Sequence, residues 1–228
     1  MFFTIEKFQK RVEELKARRY LQCRCIAPFV SMPDEGADDE VHLTPPDKIE
    51  GEPFGLNDTF VGRDRYLWLE KEVQIPEIKE GCRAVGLFDF GETGDCYNSG
   101  FESLLYVDGE PFQGVDTNHR EVLFDGLEGR TVRLTFMLWT GLEGGGVHRD
   151  FYHRMKEADL GYLHRKADEL YYYGKAITET LQLLSPEDDD YIELKRLFER
   201  VLDYIDWDEE FFYETAEAAH GVLMEGIA

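Results

Sequence analysis

Cationic side chains are scarce in this chain: 25 Lys and Arg stand against 48 Asp and Glu in 228 residues, a formal net charge of -23. Binding to a phosphate backbone or an anionic lipid surface needs clustered Lys and Arg, so nucleic acid and membrane surfaces are excluded as partners. The acids are spread along the chain with aromatics among them, as from Asp203 to Glu214, which reads as a solvated surface and not as a disordered acidic tail. Cysteine is also sparse. Cys23, Cys25, Cys82 and Cys96 are too few and too irregular for a disulfide scaffold. The Cys23/Cys25 pair lacks zinc-knuckle spacing, so small buried thiols are the expectation. No apolar run reaches the length of a membrane-spanning helix, and the N-terminus mixes charges with apolar residues from Glu6 onward, unlike a signal peptide. A reducing, cytoplasmic compartment is expected. Also missing are a G-x-S-x-G elbow, a Walker loop, a dinucleotide fingerprint in strand-to-helix context and an HExxH pair.

What is present is 43% hydrophobic residues, enough to bury a core, in a pattern that changes twice. Ile5, Phe8, Val12 and Leu15 recur at helical steps and predict an opening helix over residues 1–18. Residues 19–147 then read as short runs between turn signals, the last of them placing Val132, Leu134, Phe136 and Leu138 on one side of a strand. The fold class is therefore α+β, built on an antiparallel β-sandwich or jelly roll of galactose-binding-like type. Asp108-Gly109 and Asp125-Gly126 suit tight turns. The Pro-, Gly- and acid-rich stretch 31–60 predicts a long surface loop. Gly141 and Gly144 to Gly146 mark a domain boundary, after which residues 148–228 predict a helical segment. Phe151 to Leu184 reads as one long helix or a kinked pair, Ser185 and Pro186 start a second helix, and Asp206 or Asp208 caps a third.

Chemistry-bearing residues form no complete catalytic set. In the run from Gly114 to His119, Asp116 and His119 sit three residues apart, a spacing that serves either an Asx-type turn or a shared ligand contact. Neither a nucleophile nor a metal set adjoins them. Asp89, Glu92, Asp95 and Glu102 are numerous enough for a glycosidase pair or a calcium loop, but turn acids in solvent account for them, and no catalytic pair and no metal site is assigned. His148 and His153 lie five apart and His164 and His220 are isolated, as exposed or capping residues near helix ends would be. Aromatics make up 14% of the chain, and Trp68, Trp139, Tyr97 and Phe112 are the candidates for stacking on sugar rings. Trp139 ends an alternating strand, so a core position is the stronger expectation for it; Tyr97 lies in a loop. Asp116, His119 and Tyr97 are the candidate ligand-binding residues. In the run Tyr171, Tyr172, Tyr173 at least one ring must face a neighbouring layer.

Three segments in order, YLWLEKEVQIPE, FESLLYVDGEPFQGVDTNHREVLF and ADELYYYGKAITETLQLL, resemble the N-terminal region of the α-mannosidases of glycoside hydrolase family 38. The likeness covers most of Tyr66 to Trp207 and is most specific from Glu102 to Val122, through Glu102, Asp108, Gly109, Gly114, Asp116 and His119. The resemblance implies a non-catalytic accessory module, packed on the catalytic domain of a retaining, metal-dependent enzyme that removes α-linked mannose. The zinc and nucleophile residues it implies belong to a further domain, and none falls on a position of this chain. Expected partners are that catalytic domain, carbohydrate, and a second copy in a homo-oligomer. The alternative is a free-standing carbohydrate-binding sandwich.

Overall fold

The computed structural model describes residues 4–34, 44–91, 101–142, 148 and 150–227. The chain opens with α1 (Ile5–Ala17), β1 (Tyr20–Cys25), β2 (Phe29–Asp34), β3 (Glu52–Phe54), β4 (Thr59–Gly62) and β5 (Tyr66–Gln74). It continues through β6 (Cys82–Asp89), β7 (Glu102–Val107), β8 (Glu110–Asp116), β9 (Glu121–Leu123) and β10 (Thr131–Trp139). Next come β11 (Phe151–Arg154), β12 (Glu157–His164), α2 (Arg165–Leu183), α3 (Asp189–Tyr204) and α4 (Phe212–Ile227). These form two compact units, a sandwich of residues 22–79 and 83–162 and a helical unit of residues 1–21, 80–82 and 163–228. Among the described residues no helix is long and apolar enough to cross a membrane.

The sandwich is antiparallel. Its larger sheet has the order β3-β2-β5-β10-β7-β8, its smaller β1-β12-β6-β9, and β11 pairs with β4 in a ribbon. Strand β10 is central because its alternation is the most regular: Val132, Leu134, Phe136 and Leu138 turn inward beside Leu67, Leu69 and Val73 of β5 and Leu105 and Val107 of β7. Phe136 meets Phe88 at 4.7 Å and Phe90 at 5.1 Å between ring centroids, which ties the two sheets together. Each such ring removed from water stabilises the fold by about 1.5–3 kcal/mol. The Asp108-Gly109 pair makes the β7–β8 hairpin with φ of 53° and 90°, the two positive angles that a tight hairpin demands.

Several sequence expectations are corrected. The helix expected from Phe151 begins only at Arg165, and β11 and β12 precede it. Ala158 and Leu160 enter the sandwich core at a period of two, while Leu163, Ala167 and Leu170 carry the apolar spacing across the junction and imitate one long helix. His164 marks the true start, its Nδ1 accepting from the Ala167 amide at 3.2 Å. Within the stretch expected as a loop, β2, β3 and β4 form and Ile49 is buried. Cys23 and Cys25 are exposed, because β1 is an edge strand whose residues from Gln22 to Cys25 are uncovered.

In the helical unit α1, α2, α3 and α4 share one core that includes Phe8, Leu15, Leu170, Phe198, Phe212 and Leu223. Phe8 and Phe198 lie 5.0 Å apart. Gly174 permits this closeness: a Cβ there would stand 2.9 Å from the Phe198 ring and 3.2 Å from Val12. Of the tyrosine run, Tyr171 is buried and Tyr172 and Tyr173 are exposed. Helix α3 starts at Asp189 with Asp188, and not Ser185, at its N-cap; the Asp188 carboxylate instead accepts the Ser185 amide at 3.0 Å.

Candidate functional site: an aromatic and acidic row

Five side chains stand in register at one end of the larger sheet. Asp34, the last residue of β2, pairs with Tyr66, the first of β5; Tyr66 pairs with Trp139, the last of β10. Trp139 pairs with Glu102, the first of β7, and Glu102 with Asp116, the last of β8. Residues opposite one another on adjacent strands share a face. Leu67, Leu138 and Val115, chain neighbours of Tyr66, Trp139 and Asp116, are buried in the core, so the row faces outward. With strands about 4.8 Å apart, the row is about 19 Å long.

Its centre is a pair of half-buried rings. Tyr66 and Trp139 stack with centroids 6.3 Å apart and planes 19° from parallel. The indole Nε1–H donates to Asp64 Oδ1 at 2.9 Å, which fixes the ring's rotation. Asp64 is itself held by backbone: it adopts φ of 54°, a left-handed angle that Asp tolerates, and its amide donates to Gly141 O at 2.9 Å. The Arg65 amide donates to Thr140 Oγ1 at 2.9 Å and closes the same corner. Tyr66, Glu102, Ser103, Leu104, Met137 and Trp139 line an open cavity of about 230 Å³. Beside the row runs a second one, Met32, Trp68, Met137, Leu104 and Gly114. Trp68 and Tyr106 pack with Ile49 in this layer, whereas a Cβ at Gly114 would meet nothing within 4 Å. The surface is thus filled at Trp68 and open at Gly114.

The electrostatics are one-sided. Partial burial, followed by the charges of Asp64, Asp34 and Glu102, pushes the Tyr66 phenol above its ordinary pKa. Glu102 is exposed, and its carboxylate has no partner among the described residues. Asp116 accepts the Asn118 and His119 amides at 2.7 and 2.9 Å and lies 3.0 Å from His119 Nδ1. Burial alone would raise its pKa, but the His119 side chain and these two amides together hold it below the usual carboxylate value. Glu102 and Asp116 are neighbours, as a glycosidase pair would be, yet Asp116 is shifted in the wrong direction for a general acid.

The structure brings Asp116 and His119 together as an Asx-type turn at the end of this row; Tyr97 lies outside the described residues, as do Glu92, Asp95 and Cys96. Asp89 is buried and pairs with Arg120 at 2.6 Å, so it is no turn acid in solvent. His153 is no exposed cap either: it is buried in β11 and donates from Nε2 to Thr140 O at 2.8 Å. His220 is likewise buried. Phe112 is exposed and stacks on Phe124 at 5.9 Å. Trp139 corrects the core expectation, because as the last outward residue of β10 it stays on the surface while Leu138 takes the core. Tyr66, Asp34 and Asp64 were not singled out from sequence; the strand ends Tyr66 and Trp139 each carry an aromatic, but their pairing depends on register. Among the described residues no three His, Cys, Asp or Glu side chains come together as a metal site. A larger cavity of about 980 Å³ lies in the helical unit among Leu184, Leu194, Leu197, Asp190, Glu193 and Arg200, a groove between solvated helix faces.

No protein-family model and no curated protein matches the chain. Among solved structures it is similar to TmCBM61 in complex with β-1,4-galactotriose, at 15% identity and a TM-score of 0.30, over 66% of this chain and 93% of that one. It is also similar to a structure of CBM51-2 in complex with GlcNAc and INT domains from Clostridium perfringens ZmpB. That match has 15% identity and a TM-score of 0.27, over 91% of this chain and 43% of the other. Likenesses at these scores establish neither a family nor a ligand.

Proposed function

We propose that the sandwich is a non-catalytic carbohydrate-binding module whose ligand lies on the Tyr66–Trp139 pair. The observation that carries this reading is the stacked pair itself, 6.3 Å between centroids, open to a cavity and flanked in register by Asp34, Glu102 and Asp116. A pyranose ring has one face of C–H groups and a rim of hydroxyls. The C–H face loses water against an aromatic surface, and the hydroxyls donate to the flanking carboxylates, a division of labour typical of small-molecule sites.

A second, finer reading follows from the resemblance to family 38 α-mannosidases, and one observation favours it. The segment Glu102 to Val122 that carries the resemblance also supplies Glu102 and Asp116 of the row. On this reading the module serves an α-mannosidase, the row faces glycan at the mouth of the catalytic domain, and zinc chemistry belongs to that domain.

Calorimetric titration of the purified chain with mannosides, galactosides and N-acetylglucosamine oligomers, alongside a chromogenic α-mannoside assay, tests both. Binding without turnover supports the module, and preference for α-mannosides supports the finer reading. Silence toward every sugar would overturn the binding role, and turnover that follows this chain through purification would overturn its non-catalytic character.

A further inference from the structure

The row is much longer than its aromatic centre. Asp34 stands one strand beyond Tyr66, while Glu102 and Asp116 stand one and two strands beyond Trp139. At about 4.8 Å per strand, each position advances by roughly the width of one pyranose ring. The outer surface is open next to the far arm, since Gly114 projects nothing beside Leu104. The outermost acceptor is also prepared in advance: the Asn118 and His119 amides and the His119 ring anchor Asp116 and keep it ionised. A fixed, charged acceptor at that distance is of no use to a single sugar on the Tyr66–Trp139 pair.

Resting on the carbohydrate reading, we infer that the site takes an internal stretch of a linear oligosaccharide running across the strands, with two sugars on the aromatic pair and further sugars reaching Glu102 and Asp116. The ligand class is therefore an unbranched chain of about four units, and a monosaccharide or a chain end fills only the centre. Asp116 is a specificity-determining residue for length, because only a ligand that extends two strands past Trp139 meets it.

The test is a length series. Linear α-1,6-linked and β-1,4-linked manno-oligosaccharides of one to six units are titrated into the intact chain and into Asp116→Asn. The asparagine keeps the side-chain oxygen that accepts the turn amides and removes the charge. The expected result is affinity that climbs with each unit and levels off near four. Asp116→Asn should lose about tenfold toward the tetramer and nothing toward the dimer, the loss expected for a hydrogen bond to a charged group. Affinity that is already maximal for one unit would overturn the inference and leave the carbohydrate reading standing. So would an Asp116→Asn effect that is the same at every length. Where the broader panel binds another sugar, the same length series on that sugar's linear oligomers is read by these two criteria; no binding anywhere removes the carbohydrate reading and this inference with it. The length series on the native chain decides the question even if the variant folds poorly.

Discussion

Replacing Trp139 by Ala separates ligand contact from fold maintenance, because the same sheet carries a second tryptophan, Trp68, that is fully buried. Trp139 is half-buried and interacts through one stacked ring, Tyr66, and one hydrogen bond, to Asp64. Losing an aromatic pair costs about 0.5–1.5 kcal/mol and losing a hydrogen bond about 1 kcal/mol, so Trp139→Ala should reduce stability by about 2 kcal/mol and still fold. Trp68 is fully buried, and Trp68→Ala should cost about 3–5 kcal/mol. Binding should rank the other way. A tryptophan at the centre of a contact surface is commonly worth at least about 2 kcal/mol, which corresponds to about 30-fold in affinity. Urea unfolding and calorimetry on both variants supply the two numbers, and Trp139→Phe should recover part of the affinity while still lacking the bond to Asp64. A folded Trp139→Ala protein that binds its best oligosaccharide as tightly as the native chain would refute the placement of the ligand.

Three further outcomes are expected. Gly114→Phe should leave thermal stability nearly unchanged, since a Cβ there meets nothing within 4 Å, yet obstruct the surface beside Leu104 and weaken oligosaccharide binding in the same calorimetric assay. Gly174→Ala should destabilise the chain in urea unfolding by about 1–3 kcal/mol through overpacking against Phe198, partly offset by about 1 kcal/mol of helix propensity. Burial lowers the pKa of His153, and the Thr140 and Gly91 backbone only partly opposes this, so below about 6.5 the unfolded chain takes up a proton that the native state refuses. Its contribution to stability is therefore intact above that value and is lost as the pH falls; thermal melts between pH 7.5 and 5.5 should show a shallower decline for His153→Gln than for the native chain.

The elements were legible wherever a local rule settled them. Asp108-Gly109 announced its hairpin because few residue pairs accept two positive φ angles, and Val132 to Leu138 announced a strand because period two has no helical counterpart. The Ile5 to Leu15 stripe announced α1 for the converse reason. Local reading failed where two periodicities met: Leu160, Leu163, Ala167 and Leu170 fit a helix, and only the sandwich core awaiting Ala158 and Leu160 assigns the first part to a strand. It failed also for Cys23, which an edge strand leaves exposed, and for His153, which strand β11 buries with its Nε2 on the Thr140 carbonyl.

For the site, composition and local spacing sufficed to nominate Asp116 and His119 as a turn pair and to exclude phosphate-binding and nucleophile motifs. They could not assemble the row. Tyr66 and Trp139 are 73 positions apart, and Glu102 and Asp116 are separated by a hairpin, so their adjacency exists only through strand register. A shift of one residue in that register would turn Trp139 into the core and Leu138 to the surface, which is why pairing, set by burial across the whole sheet, decided which side chains this face presents.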